Sequence, residues 1–138
     1  EYPADFYCDY ITASLYGQTE IYYIQPYDAI MLSKLKLDDK ASYYLYLSTL
    51  QAEIDLTDGV IITLENGSKI IKPDLEAKVK PFVGTVSGYE YSVQVPLTDK
   101  DIQQLKSHKI TGYQIGKFKE APGRIEEIKN ALPCLLTK

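Results

Sequence analysis

The sequence contains no tryptophan, one histidine, one methionine and two cysteines. Without tryptophan, the chain lacks the large indole ring on which sugar-binding sites most often stack their ligands. With one histidine, His108 is the only candidate for histidine-based acid–base catalysis. Its place at the C-terminal end of a predicted helix favours instead a solvated residue that interacts with the helix dipole. These absences argue against two common designs of functional site.

Familiar motifs and charge clusters are absent as well. No G-x-S-x-G motif exposes a serine nucleophile, and neither G-x-x-x-x-G-K-[ST] nor G-x-G-x-x-G is present to bind a phosphate. The net charge is −4 and the lysines are scattered, so the basic patch of a nucleic-acid-binding protein is missing. No run of about 18 consecutive apolar residues occurs. We therefore expect no nucleic-acid partner, no membrane span and no cofactor.

What is present is the composition of one ordinary folded domain. The chain has 138 residues, of which 45% are apolar and 25% are charged. This length and balance predict a single domain over residues 1–138 with a hydrophobic core of its own.

Tyrosine is the one enriched residue type, with 13 copies. It favours strands, where its ring packs while its hydroxyl reaches water or a partner. If strands bring the two densest segments together, they form an aromatic binding surface from Tyr22, Tyr23, Tyr27, Tyr44 and Tyr46. The alternative is that these rings are dispersed over strand faces and half covered by their neighbours.

The two cysteines, Cys8 and Cys134, lie far apart in the sequence. In an exported protein they could form one disulfide, and the alternative is two buried free thiols, because spacing alone does not show that the sulfurs meet. The chain begins at Glu1 and not at methionine, which indicates a processed or truncated form and suggests a removed secretion signal. We therefore expect an exported protein, periplasmic or extracellular.

Turn signals divide the chain into about eight short strands. Asn66-Gly67, between residues 60–64 and 69–71, predicts a hairpin with a type I′ turn. Asp38-Asp39-Lys40 predicts a second hairpin between residues 29–37 and 42–50. The other predicted strands are residues 6–13, 20–24 before a break at Gln25-Pro26, 89–95, and 110–118 with a bulge or close approach at Gly112 and Gly116.

Two helices are predicted late in the chain. The first lies near residues 98–107, with Thr98 as N-cap and Asp101 three residues on as a variant of the capping box. The second lies near residues 123–132, where apolar residues recur at helical spacing, and Pro133 is expected to end it. Many strands and few helices predict a mostly β fold, all-β or α+β, built as an antiparallel β-sandwich or an open barrel.

Residues 59–118 contain a hairpin with an Asn-Gly turn, a strand, a helix that begins Leu-Thr-x-x-Asp-Ile, and a returning strand. In outline this segment is similar to uncharacterised exported β-rich proteins of bacteria. The resemblance covers under half of the chain and implies neither an activity nor a site residue.

Acidic pairs are explained by local structure. Asp38-Asp39 suits a turn, Asp99 and Asp101 suit the start of a helix, and Glu126-Glu127 suits the first turn of the last helix. The run Asp55–Gly59 resembles a calcium-binding loop but lacks the alternating oxygen ligands and the closing glutamate, so we predict no metal site.

These observations favour a small exported module without enzymatic activity, which binds a protein or a polysaccharide through its tyrosine surface or serves as an accessory domain. One alternative is a hydrolase that acts on glycans, which needs two carboxylates in a cleft with the pKa of one raised by burial. A further alternative is a carrier of a small ligand, which needs an enclosed apolar cavity.

Overall fold

A computed structural model describes residues 6–84, 87–123 and 125–138. The elements, in chain order, are a 3-10 helix at Phe6–Tyr10, β1 at Thr12–Tyr16, β2 at Thr19–Tyr27, β3 at Ile30–Leu37, β4 at Lys40–Gln51, β5 at Val60–Leu64, β6 at Lys69–Lys72, β7 at Lys78–Phe82, β8 at Gly88–Pro96, α1 at Asp99–Ser107, β9 at Ile110–Ile115, β10 at Phe118–Glu120 and α2 at Glu126–Leu136.

The strands form two antiparallel sheets. One has six strands in the order β1-β2-β3-β4-β8-β7, and the other has four in the order β10-β9-β5-β6. Short turns connect β1 to β4 as consecutive hairpins, which is why these strands lie side by side. Neither sheet closes into a barrel within the described part of the chain. The prediction of a mostly β fold with antiparallel sheets and two late helices is confirmed.

One hydrophobic cluster joins both sheets and both helices. Its fully buried side chains include Leu32 and Leu45 from the larger sheet, Ile62 from the smaller sheet, Leu105 from α1 and Leu132 from α2. Side chains alternate between the two faces of a strand, so only one face of the six-stranded sheet contributes to this cluster. The opposite face of that sheet lies outside this cluster.

Both predicted hairpins are present, but one turn differs from its prediction. Asp38 adopts a positive φ of 56° in the turn between β3 and β4, as short hairpin turns require. In the β5–β6 hairpin, Gly67 has a positive φ of 85° but Asn66 does not. The Gly67 N–H donates to the Leu64 carbonyl and the Leu64 N–H donates to the Ser68 carbonyl. The loop therefore has three residues and ends in a left-handed glycine, and the predicted type I′ turn is wrong.

The capping box of α1 is confirmed. The Thr98 hydroxyl accepts from the Asp101 N–H and the Asp101 carboxylate accepts from the Thr98 N–H. The bounds of α2 differ from the predicted 123–132, of which Arg124 lies outside the described residues. The helix starts later because the Ile125 N–H still donates to the Ile110 carbonyl in an extended bridge.

The helix α2 also continues past Pro133, which lies inside it, and so the prediction that Pro133 ends it is wrong. A proline inside a helix costs a backbone hydrogen bond and causes a steric clash. Here the last turn is held by burial of Leu135 and by the Cys8–Cys134 disulfide, which the structure contains.

Three predicted strands have different bounds. Residues 6–10 form the 3-10 helix, and only from Thr12 does a strand begin. The predicted break at Gln25-Pro26 is a β-bulge, after which β2 continues to Tyr27. The predicted strand 110–118 is a hairpin that turns at Gly116, whose φ is 57° and where a Cβ atom would lie 2.5 Å from the Thr57 carbonyl oxygen. The prediction of a close approach at Gly116 is confirmed.

Candidate functional site

The face of the six-stranded sheet that points away from the core carries an uncovered group of large side chains. Strand register assigns its members: Thr12 of β1 lies opposite Tyr23 of β2, Tyr23 opposite Ser33 of β3, and Ser33 opposite Tyr44 of β4. All four lie on one side of the sheet. We call this side the outer face, and its half-buried large apolar and aromatic members on β2, β3 and β4 are Ile21, Tyr23, Met31, Leu35, Tyr44 and Tyr46.

None of these six side chains belongs to the hydrophobic core, and each is half-buried. Tyr23 and Tyr44 are separated by β3 alone, which places their strands about 10 Å apart. Ser33 lies between them and is only 6% exposed, as expected of a small side chain flanked by two rings. The result is a shallow aromatic surface with a small polar residue at its floor.

The structure brings together three of the five tyrosines that the sequence analysis selected. Tyr23, Tyr44 and Tyr46 share the outer face, and Tyr46 pairs with Met31 across β3 and β4. Tyr22 has the opposite orientation, toward the core side, where its hydroxyl donates to the Glu20 carboxylate. That hydrogen bond, followed by burial, raises the pKa of Tyr22.

Tyr27 is also separated from the outer face. The bulge after Ile24 inserts one residue, so Tyr27 pairs with Ile30, a fully buried residue on the core side. Tyr27 itself is 48% exposed at the end of its strand.

Sequence reasoning missed the aliphatic part of the outer face. Ile21, Met31 and Leu35 lie beside the tyrosines. The signal was available in the alternation of β2 and β3, once the register of their hairpin was known.

A second aromatic cluster lies on the 3-10 helix. The ring centroids of Phe6 and Tyr10 are 5.3 Å apart, and those of Phe6 and Tyr7 are 5.2 Å apart with nearly perpendicular planes. Tyr10 is 55% exposed, while Tyr7 packs partly against the core. This cluster is smaller than the outer face and belongs to the segment held by the disulfide.

Acidic residues line a cleft of about 350 Å³ next to Tyr91. Asp55, Asp58 and Glu76 all contribute to its walls. The hydroxyl and N–H of Thr57, with Lys117 nearby at 3.5 Å, hold the pKa of Asp55 below its usual value. A glycosidase general acid needs a raised pKa, so the environment of Asp55 acts in the opposite direction.

The other candidate residues, His108 and the acidic side chains at the start of α1, have roles in the structure of the fold. Among the described residues, no group of histidine, cysteine or acidic side chains has the arrangement of a metal site. His108 is the C-cap of α1, and its N–H donates to the Gln104 carbonyl. Asp101 forms an ion pair with Lys72, with an oxygen–nitrogen distance of 2.6 Å.

No helix in the described residues is long and apolar enough to cross a membrane. The sequence matched no family model, and neither the curated proteins nor the solved structures contained a significant match.

Proposed function

We propose that this protein is a non-enzymatic binding module whose outer face binds a protein partner. The observation that carries the proposal is the group of six large side chains that the six-stranded sheet presents outside the core. Contiguous apolar surface of this kind is uncommon on proteins that have no partner. Tyrosine and methionine are enriched where proteins bind each other, because they offer large contact areas.

The chemistry of the outer face favours a protein over a polysaccharide. Its centre, on β2, β3 and β4, combines aliphatic side chains with tyrosines, and the amide side chain of Gln94 lies at its border, on β8 opposite Tyr46. A polysaccharide presents hydroxyl groups that need hydrogen-bonding partners at the floor of the site. Ser33, at the centre of the floor, is nearly buried and offers little to such hydroxyl groups.

The disulfide supports the proposal that this module acts outside the reducing cytosol. Structural disulfides persist in secreted and periplasmic proteins and are rare in the cytosol. Cys8–Cys134 is the basis for proposing export.

The test uses a phage-displayed library of random peptides, panned against the folded chain, with a glycan array probed in parallel. Peptides enriched on the wild type should bind Tyr23→Ala and Tyr44→Ala about thirtyfold more weakly, because central interface tyrosines contribute about 2 kcal/mol each. Tyr10→Ala is the matched control, since it removes a more exposed tyrosine from the other aromatic cluster.

Melting curves must show that all three variants are folded. The binding site is not on the outer face if Tyr23→Ala and Tyr44→Ala leave the peptide affinity unchanged. The same conclusion follows if only Tyr10→Ala lowers the affinity. A further outcome is that the chain binds glycans and enriches no peptide, and that glycan binding is lost in Tyr23→Ala and in Tyr44→Ala. This outcome would make the partner a polysaccharide and refute the protein assignment.

A further inference from the structure

Within residues 6–84, 87–123 and 125–138, the two sheets have four edge strands, and three of these carry features that prevent pairing with another chain. β7 has Lys78, Lys80 and Pro81, β6 has a lysine at each end, and β10 is three residues long. Lysines, prolines and short length are the usual means by which proteins block their sheet edges. β1 has none of these features.

β1 is an exposed strand of sequence Thr-Ala-Ser-Leu-Tyr, without charge and without proline. All five residues are exposed, with Leu15 at 68% and Tyr16 at 80%. Such an edge presents unpaired backbone groups to solvent and is a template for strand addition.

The hairpin geometry shows which backbone groups of β1 have no partner among the described residues. Tyr16 and Thr19 close a two-residue turn, in which Gly17 has a positive φ of 64°. The closing pair of such a hairpin exchanges backbone hydrogen bonds, and in an antiparallel pair the bonded positions alternate. Thr12, Ser14 and Tyr16 therefore bond to β2. The N–H and carbonyl groups of Ala13 and Leu15 point toward the free edge.

We propose that β1 pairs with β1 of a second copy of this chain, antiparallel and with the two-fold axis at Ser14. This arrangement places Ala13 opposite Leu15 of the second copy, and Thr12 opposite Tyr16 of the second copy. Each large side chain then faces a smaller one, and the free backbone groups of Ala13 and Leu15 bond in both directions.

Among the described strands that are long enough to pair, charge permits self-pairing with a second copy at this edge and opposes it at the others. Self-pairing of β7 about its centre places Lys80 opposite its own counterpart, and self-pairing of β6 places Lys69 opposite Lys72. Like charges directly opposite each other destabilise a strand pair. β1 brings no charged side chain to its own copy.

The pairing is isologous, so it uses up the same edge on both copies and stops at a dimer. It joins two six-stranded sheets edge to edge and makes their outer faces continuous through Thr12, Ser14 and Tyr16. The contact is small, so we expect weak association, with a Kd on the order of 100 µM. The inference does not depend on what the outer face binds.

Charged substitutions of Ser14 test the proposal, because the two-fold axis places Ser14 opposite Ser14 of the second copy. Sedimentation velocity over a concentration series should show a reversible dimer for the wild type. Ser14→Lys and Ser14→Glu should each weaken dimerisation by roughly tenfold or more, since two like charges meet. An equimolar mixture of the two variants should restore the dimer. Ser42→Lys and Ser42→Glu, on the exposed part of the outer face away from the edge, should dimerise as the wild type does.

Two results would overturn the proposal. One is a wild type that stays monomeric well above the expected Kd. The other is a dimer that Ser14→Lys and Ser14→Glu leave unchanged, since this would place the contact elsewhere. Melting curves for both Ser14 variants exclude unfolding as the cause of a lost dimer.

Discussion

Loss of the Cys8–Cys134 disulfide should lower the melting temperature by about 17 °C. The two cysteines are separated by 126 residues in the sequence, so the bond closes almost the whole chain into a loop. In the chain-entropy model, a loop of this size stabilises the fold by about 5 kcal/mol. A chain of 138 residues has an entropy of unfolding of about 0.3 kcal/mol/K, which converts this free energy into about 17 °C.

Differential scanning calorimetry of the wild type, Cys8→Ala, Cys134→Ala and the double variant measures this effect. The two single variants and the double variant should melt at nearly the same temperature, because each removes the same cross-link. Wild type treated with reductant should melt with them. A melting temperature that is unchanged in reduced protein, with both free thiols confirmed by mass spectrometry, would refute the reasoning.

Two further substitutions test polar contacts of the core. Lys34 donates to three carbonyls at the end of α2. Lys34→Met should therefore lower the free energy of unfolding by about 2 kcal/mol and increase hydrogen exchange in the last turn of that helix. Lys36→Met is the control and should have little effect. Burial opposes ionisation of Asp101, but the Lys72 ammonium and Thr98 outweigh it and keep the pKa of Asp101 below its usual value. The charged form therefore stabilises the fold above about pH 4, and this stability is lost as the pH falls through the lowered pKa. In urea titrations, Asp101→Asn should cost about 1 kcal/mol at neutral pH, and the gap to the wild type should narrow below about pH 4.

Local chemistry in the sequence was sufficient to predict the hairpins and the start of α1. Asp38-Asp39 and Asn66-Gly67 carry their turn signals within a few residues, and Thr98 with Asp101 forms its capping box within one helical turn. Such features need no information from distant parts of the chain.

The outer face could not be predicted in the same way, because it depends on how strands pair. Tyr22 and Tyr23 are adjacent and equally apolar in sequence, and only the register with β3 decides which of them points outward. The bulge at Gln25-Pro26 then reverses the side on which Tyr27 lies. Pro133 shows the same limit for helices, since the burial of Leu135 outweighs the local preference to end the helix.

The core side of the same sheet contrasts with the outer face in which side chains it buries. Lys34 lies between Tyr22 and Tyr43 on that side and is only 3% exposed, and its ammonium group is satisfied by the carbonyls of α2. The sheet thus buries a lysine while it leaves tyrosines and aliphatic side chains outside the core.

A buried charge is tolerated only where it has hydrogen-bonding partners, and Lys34 has three. The outer face has no comparable partner within the described residues, and it adjoins the free backbone groups of β1. A partner that extends from Tyr44 to the edge at β1 would therefore contact both copies of the proposed dimer. Partner binding and dimerisation would then strengthen each other by the same factor, because coupling between two binding equilibria is reciprocal.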